Sequence, residues 1–177
     1  EFGERDFERK LEDFKSIESA PFSVVAFHNK FFAQIRYAFV HGQYFPALTA
    51  VCALGERVLN HLVIGLRDEY RSHLNYKLVY RKSSFDDWSK AIEFLNTWGV
   101  LTEDAVTHFK VLAQKRNAAI HFNPETEVND RELALEAIRV FGKIISFQFS
   151  AHGDLPWLLQ GRGETFIAKD WEKNPFV

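Results

Sequence analysis

One cysteine, no methionine, five prolines and nine glycines occur in 177 residues, and acids and bases nearly cancel at a net charge of −2. Each shortage excludes something. With Cys52 alone there is no internal disulfide and no thiolate cluster for zinc, and a single thiol on an apolar helix face fits a reducing cytosol. As a nucleophile Cys52 has no partner in the sequence and the character of a buried side chain. The scattered glycines form no dinucleotide fingerprint or Walker loop, and there is no nucleophile elbow and no His-Glu-x-x-His metal helix. The near-zero charge gives no overall pull toward nucleic acid, so any RNA contact has to come from a local patch. No apolar run reads as long enough to span a bilayer, and Glu1 to Lys10 is charged rather than a signal sequence. These absences predict a soluble, cytoplasmic protein with no membrane partner, no metal and no cofactor. The missing methionine, with a stop at Asn174-Pro175-Phe176-Val177 after a strand-like stretch, is what a fragment of a longer chain would show.

Core-forming residues are plentiful. Hydrophobic residues make up 46% of the chain, with eighteen Phe and four Trp, enough for one packed domain. Phe7, Leu11, Phe14 and Ile17 recur at helical spacing through residues 4 to 19, before Pro21. A largely apolar helix follows from Phe22 to Val40 and stops at Gly42. The aromatic residues of both helices are assigned to packing. A third helix starts near Pro46 and runs to about Glu69, with Glu56, Arg57, Asn60 and His61 on its polar face. Residues 71 to 84 lack helical period and carry no acid. Ser84 and Asp87 open a fourth helix that ends at Gly99, Thr102 caps a fifth that Pro124 stops, and a sixth runs from Asn129 or Asp130 to about Phe149. Beyond it, two strand-like stretches flank Gly161-Arg162-Gly163, which reads as a β-hairpin turn rather than a phosphate loop. The expectation is an all-α antiparallel bundle of five to six helices over residues 1–152, with a small C-terminal β-hairpin appendage at 153–177.

The chemistry-bearing stretch is Arg116-Asn117-Ala118-Ala119-Ile120-His121. Arginine is a permanent cation whose fork fits phosphate oxygens, and histidine is the side chain that ordinarily exchanges protons near neutral pH. Eleven arginines and seven histidines predict about 0.4 pairs at this spacing by chance, but about 0.02 once Asn must follow the Arg. Two decoys exist. Arg67-Asp68 with His73 fits a looser spacing but enters a polar linker, and Arg36 with His41 has Tyr37 in the polar position. In metal-independent RNA cleavage a 2′-hydroxyl loses a proton as it attacks the adjacent phosphate, and the departing 5′-oxygen gains one. His121 could serve either step, Arg116 could stabilise the added negative charge, and Asn117 could orient phosphate or imidazole. On a straight helix, positions five apart differ by about 140° and roughly 7.5 Å, so Arg116 and His121 would not share a tight face.

The order Arg, polar residue, three residues, His, placed between two long helices, resembles the signature of the HEPN ribonucleases. The resemblance covers roughly residues 30 to 150. It implies metal-independent endoribonuclease activity in a toxin/antitoxin, phage-defence or stress-response setting, with an antitoxin or other regulatory protein as a partner. Such proteins typically pair two motifs across a two-fold axis, so it also implies a homodimer with a composite site and an isologous interface near residues 112 to 123. Other members of the family are inactive nucleotide-binding or protein-interaction modules, the rival reading. Lys115 and the basic, tyrosine-bearing stretch with Tyr80, Arg81 and Lys82 are the candidate RNA contacts, against the plainer reading of a solvated loop. Glu56 has two readings, an anchor facing the motif or a surface carboxylate. The motif itself also has a structural reading, in which Arg116 pairs with Glu56 or Glu125 and His121 caps a helix end.

Overall fold

The computed structural model describes residues 4–21, 26–85, 87–121 and 124–149. Among these the chain is all-α, without a strand, and folds as a helical bundle. The elements are α1 (Phe7–Ser16), α2 (Ala26–Val40), α3 (Tyr44–Leu66), a 3₁₀ turn (Arg67–Tyr70), α4 (Tyr76–Val79), α5 (Trp88–Thr97), α6 (Glu103–Ile120), α7 (Pro124–Val128) and α8 (Asp130–Phe149). The hairpin expected at 153–177 lies outside the described residues.

The helix ends obey local chemistry. The Asp87 carboxylate accepts from the Lys90 N–H at 3.2 Å and the Thr102 hydroxyl accepts from the Ala105 N–H at 3.2 Å, each capping the helix that follows. Gly42 and Gly99 adopt φ of 77° and 68° at the ends of α2 and α5, a region costly for any residue with a Cβ.

α3 is the central element, packed against α2, α5, α6 and α8. Val51, Val58, Leu59, Leu62 and Val63 on α3 are buried, as are Phe39 of α2, Leu95 of α5, Phe109 and Leu112 of α6, and Ile138, Phe141 and Ile144 of α8. α6 and α2 both run antiparallel to α8. The α6–α8 contact runs from Thr102 beside Gln148 to Lys115 beside Glu136, and the α2–α8 contact from Phe32 beside Phe141 to Phe39 beside Arg131. Gln148, buried in α8, accepts from the Thr102 N–H at 3.0 Å and donates to the Val100 carbonyl at 2.9 Å, which locks the α5–α6 turn to the bundle.

Several expectations are corrected. Tyr44–Tyr70 is, by length and composition alone, apolar enough to cross a membrane, with a mean hydropathy of 1.4 in its most apolar stretch. Glu56 and Arg57 break the run without lowering that average below a spanning value; 56% of that stretch is buried inside the bundle. The apolar stripe of α1 does not face inward. Phe7, Leu11 and Phe14 are 61%, 40% and 62% exposed, whereas Asp13 and Ile17 are buried. Pro124 does not simply stop α6, since it is the first residue of the short α7, where its fixed φ and missing N–H cost nothing. The stretch 71–84 contains the single turn α4, with Val79 buried beneath it.

Candidate active site

α6 carries the motif to its last residue and one beyond. Arg116 and Asn117 lie in the final turns, and His121 is the C-terminal cap, with φ −87° and ψ 146° and its N–H bonded to the Asn117 carbonyl at 3.2 Å. The backbone therefore leaves the helical path at His121, and the straight-helix separation applies only as far as Ile120. The His121 side chain is exposed and its ring makes no hydrogen bond with another described residue. It is a cap through its backbone alone, which leaves the imidazole open to a ligand.

Arg116 is held from the next helix. Its Nη2 lies 3.3 Å from Glu56 Oε2 on α3, and the same oxygen accepts the Trp88 indole N–H at 3.0 Å. Gly55 makes this approach possible. A Cβ there would stand 2.7 Å from Leu112 Cδ2 and 2.8 Å from Trp88 Cη2, so a side chain at 55 would force the Leu112 and Trp88 side chains to shift. With side-chain exposures of 27% and 34%, the Arg116–Glu56 pair adds little to stability, but it fixes where the guanidinium sits. One Nη is committed, which leaves the rest of the fork for phosphate. Glu56 therefore faces the motif, and its pairing with Arg116 is also what the plain structural reading of the motif expects.

The other predicted contacts divide. Lys115, next in sequence to Arg116, turns to α8 and pairs with Glu136, so it does not join the motif. In the basic stretch the Arg81 guanidinium lies 5.0 Å from the centre of its neighbour Tyr80, and the Lys82 amine 5.0 Å from that of Phe85. That stretch descends along α3 in three rungs. Arg67 donates to the Val79 and Lys82 carbonyls, Asn60 bonds both the N–H and the carbonyl of Phe85, and Trp88 reaches Glu56. Eleven residues separate Arg67 from Glu56, so Lys82 is docked about 16 Å along α3 from the level of Arg116. Tyr80, Arg81 and Lys82 thus stand on the same strip of the molecule as the motif, but not at it.

Both decoys have structural work. Arg36 donates to the Ile17 carbonyl at 3.0 Å and Arg67 holds the loop just described. Arg116 differs in meeting a carboxylate that is one-third exposed instead of backbone.

Two features escaped the sequence reading. One is an imidazole pair, in which His61 Nδ1 of α3 lies 3.1 Å from Nε2 of the buried His28 of α2. Burial first, then the nearby His61 and Arg57, lowers His28 from its ordinary 6.5 to about 4. The other is a polar cleft beside Asn117, between α5 and α6. Burial pushes the Cys52 thiol up to about 12, consistent with an inert core residue. Among the described residues no three His, Cys, Asp or Glu side chains gather as a metal site. No protein-family model, curated protein or solved structure matches the chain.

Proposed function

We propose that this chain is a metal-independent endoribonuclease of the HEPN type. The observation that carries the reading is the placement of Arg116, Asn117 and an exposed His121, whose ring bonds to no other described residue, in succession at the exit of α6, with Arg116 held in place by Glu56 of α3. His121 exchanges the proton of the attacking 2′-hydroxyl or of the departing 5′-oxygen, while Arg116 neutralises the charge that builds on the phosphate. The new bond joins the 2′-oxygen to phosphorus, the bond to the 5′-oxygen breaks, and one strand is left with a 2′,3′-cyclic phosphate.

One motif supplies one histidine, whereas the reaction needs a base and an acid. A two-fold homodimer would bring a second copy, as in the proteins the motif resembles. Within residues 112 to 121, Leu112 and Ala119 are already buried in the chain's own core, and the exposed side chains left for an interface are Gln114, Asn117, Ile120 and His121; Ile120 is 56% exposed. The setting that fits is cytoplasmic defence or stress response, with an antitoxin or other regulatory protein as partner.

A second reading, a catalytically silent module that binds nucleotide or protein, is favoured by the pairing of both Lys115 and Arg116 with acids. One assay separates the two. Purified protein is incubated with tRNA and structured RNA in excess EDTA, beside the Arg116→Ala, His121→Ala double variant. Cleavage by the wild type alone, leaving cyclic-phosphate ends, is the expected result; intact RNA in both samples removes the nuclease reading.

A further inference from the structure

Arg116 and Asn117 face different surroundings. Arg116 meets α3, whereas Asn117 lines a cleft of about 450 Å³ between α5 and α6, within the size range of small-ligand sites. The floor of the cleft is apolar, formed by Ile92, Val106 and Ala113. Its walls carry Glu93 and Asn96 from α5 and Lys110, Gln114 and Asn117 from α6. None of these five side chains makes a hydrogen bond or ion pair with another described residue. These five side chains are exposed, whereas the partly buried Asn60 is tied to Phe85 and the buried Gln148 to Val100 and Thr102. Five uncommitted polar groups over an apolar floor form a surface complementary to a flat heterocycle with polar edges.

The cleft is also directional. α5 and α6 are antiparallel across a short turn, so Asn117 marks the end at the motif, and Val106 and Asn96 the far end. From Val106 to Asn117 is eleven positions, about 16 Å, enough for a nucleotide and a neighbouring phosphate. Glu93 discriminates between bases. A carboxylate only accepts, and the guanine Watson–Crick edge offers it two adjacent N–H donors. Adenine presents one donor beside a ring-nitrogen lone pair, which a carboxylate oxygen repels. Lys110, on the opposite wall, suits a phosphate. A base read on this edge has to be unpaired, which is how RNA sequence is commonly recognised.

We propose that the α5–α6 cleft binds a guanine nucleotide of single-stranded RNA and directs its phosphate toward Arg116 and His121. The assignment rests on the ribonuclease reading above, so its test separates binding from cleavage. The probe is a tetranucleotide with 2′-O-methyl riboses, which cannot be cut, carrying one guanine among uridines, beside the same strand with adenine in that place. Wild-type protein is expected to bind the guanine strand about tenfold more tightly. Glu93→Gln, which keeps the shape but presents one acceptor, should bring that ratio close to one. Lys110→Ala should weaken both strands alike, by about threefold. Equal affinity for the two strands, no binding of either, or a ratio untouched in Glu93→Gln overturns the proposal. His121→Ala keeps the two ideas apart, because it should retain the binding ratio while losing cleavage of ordinary RNA. A guanine-selective protein whose His121→Ala variant still cuts refutes the motif, and an active nuclease without base preference refutes the cleft.

Discussion

Two carboxylates on neighbouring parts of the bundle are used in opposite ways. Asp13 of α1 is buried, and both its oxygens are filled. Oδ2 takes Arg9 at 2.8 Å and the Tyr44 hydroxyl at 2.8 Å, while Oδ1 takes Nε and Nη2 of Arg131 at 2.9 and 2.8 Å. This one side chain ties α1 to α3 and α8. Glu56, about 18 Å along α3 from Tyr44, is one-third exposed, and its Oε2 alone holds both Arg116 and Trp88. Both Asp13 oxygens are thus occupied by donors of the fold itself. Around Arg116 most of the fork is uncommitted, His121 is open, and the adjoining cleft is lined with unbonded polar groups. The saturated cluster holds helices of the fold together, and the incompletely saturated one is where the proposed function places the phosphate.

The largest expected effect tests the saturated cluster. Asp13→Ala removes the buried carboxylate that Arg9, Tyr44 and Arg131 share, leaving Arg131 only the exposed Glu12 and Glu132, and should lower unfolding free energy by about 3 kcal/mol. RNA cleavage per folded molecule should stay at the wild-type level. Denaturant titration with a cleavage assay below the midpoint measures both, and a loss under about 1 kcal/mol would show that α1 is held by something else.

The imidazole pair supplies the next effect, through pH. His28 is held neutral in the folded chain, with its value lowered from 6.5 to about 4, and His61 is lowered by the same burial. The unfolded chain therefore takes up a proton below pH 6.5 that the folded chain refuses until near pH 4. Stability should be level above about pH 7 and fall as the pH drops through that window. The difference for His28 alone is about 2 kcal/mol by pH 5. Urea midpoints at pH 7 and pH 5 should differ accordingly, and His28→Gln should flatten the dependence. An equal drop in the variant would move its origin to the carboxylates.

How far the sequence displays this contrast depends on the range of the interactions. Helices α2, α3, α5, α6 and α8 were legible because apolar period, Thr102, Asp87, Gly42 and Gly99 act locally. The inner face of α1 was misread because period counts apolar residues, and here Asp13, bonded to Arg131 118 positions away, decides which side faces the bundle. α4 and the 3₁₀ turn were missed since side-chain bonds from Arg67, not a local pattern, hold that segment. Arg116, Asn117, His121 and Glu56 could be singled out by residue type and spacing. The α5–α6 cleft could not, because Glu93, Asn96, Lys110 and Gln114 look like ordinary solvated positions until two helices are placed side by side.

The smallest expected effect bears on the unsaturated cluster itself. Glu56→Gln keeps an oxygen for the Trp88 N–H and nearly the same volume but loses the ion pair with Arg116. Stability should change by less than about 1 kcal/mol, since both partners are partly exposed. If Glu56 serves to hold the guanidinium where the phosphate arrives, cleavage should fall roughly tenfold, with the loss in kcat more than in KM. If instead the carboxylate competes with phosphate for the same fork, the variant should bind RNA more tightly and cut faster. A single rate comparison at saturating RNA therefore decides whether the open valence at Arg116 is prepared by Glu56 or restrained by it.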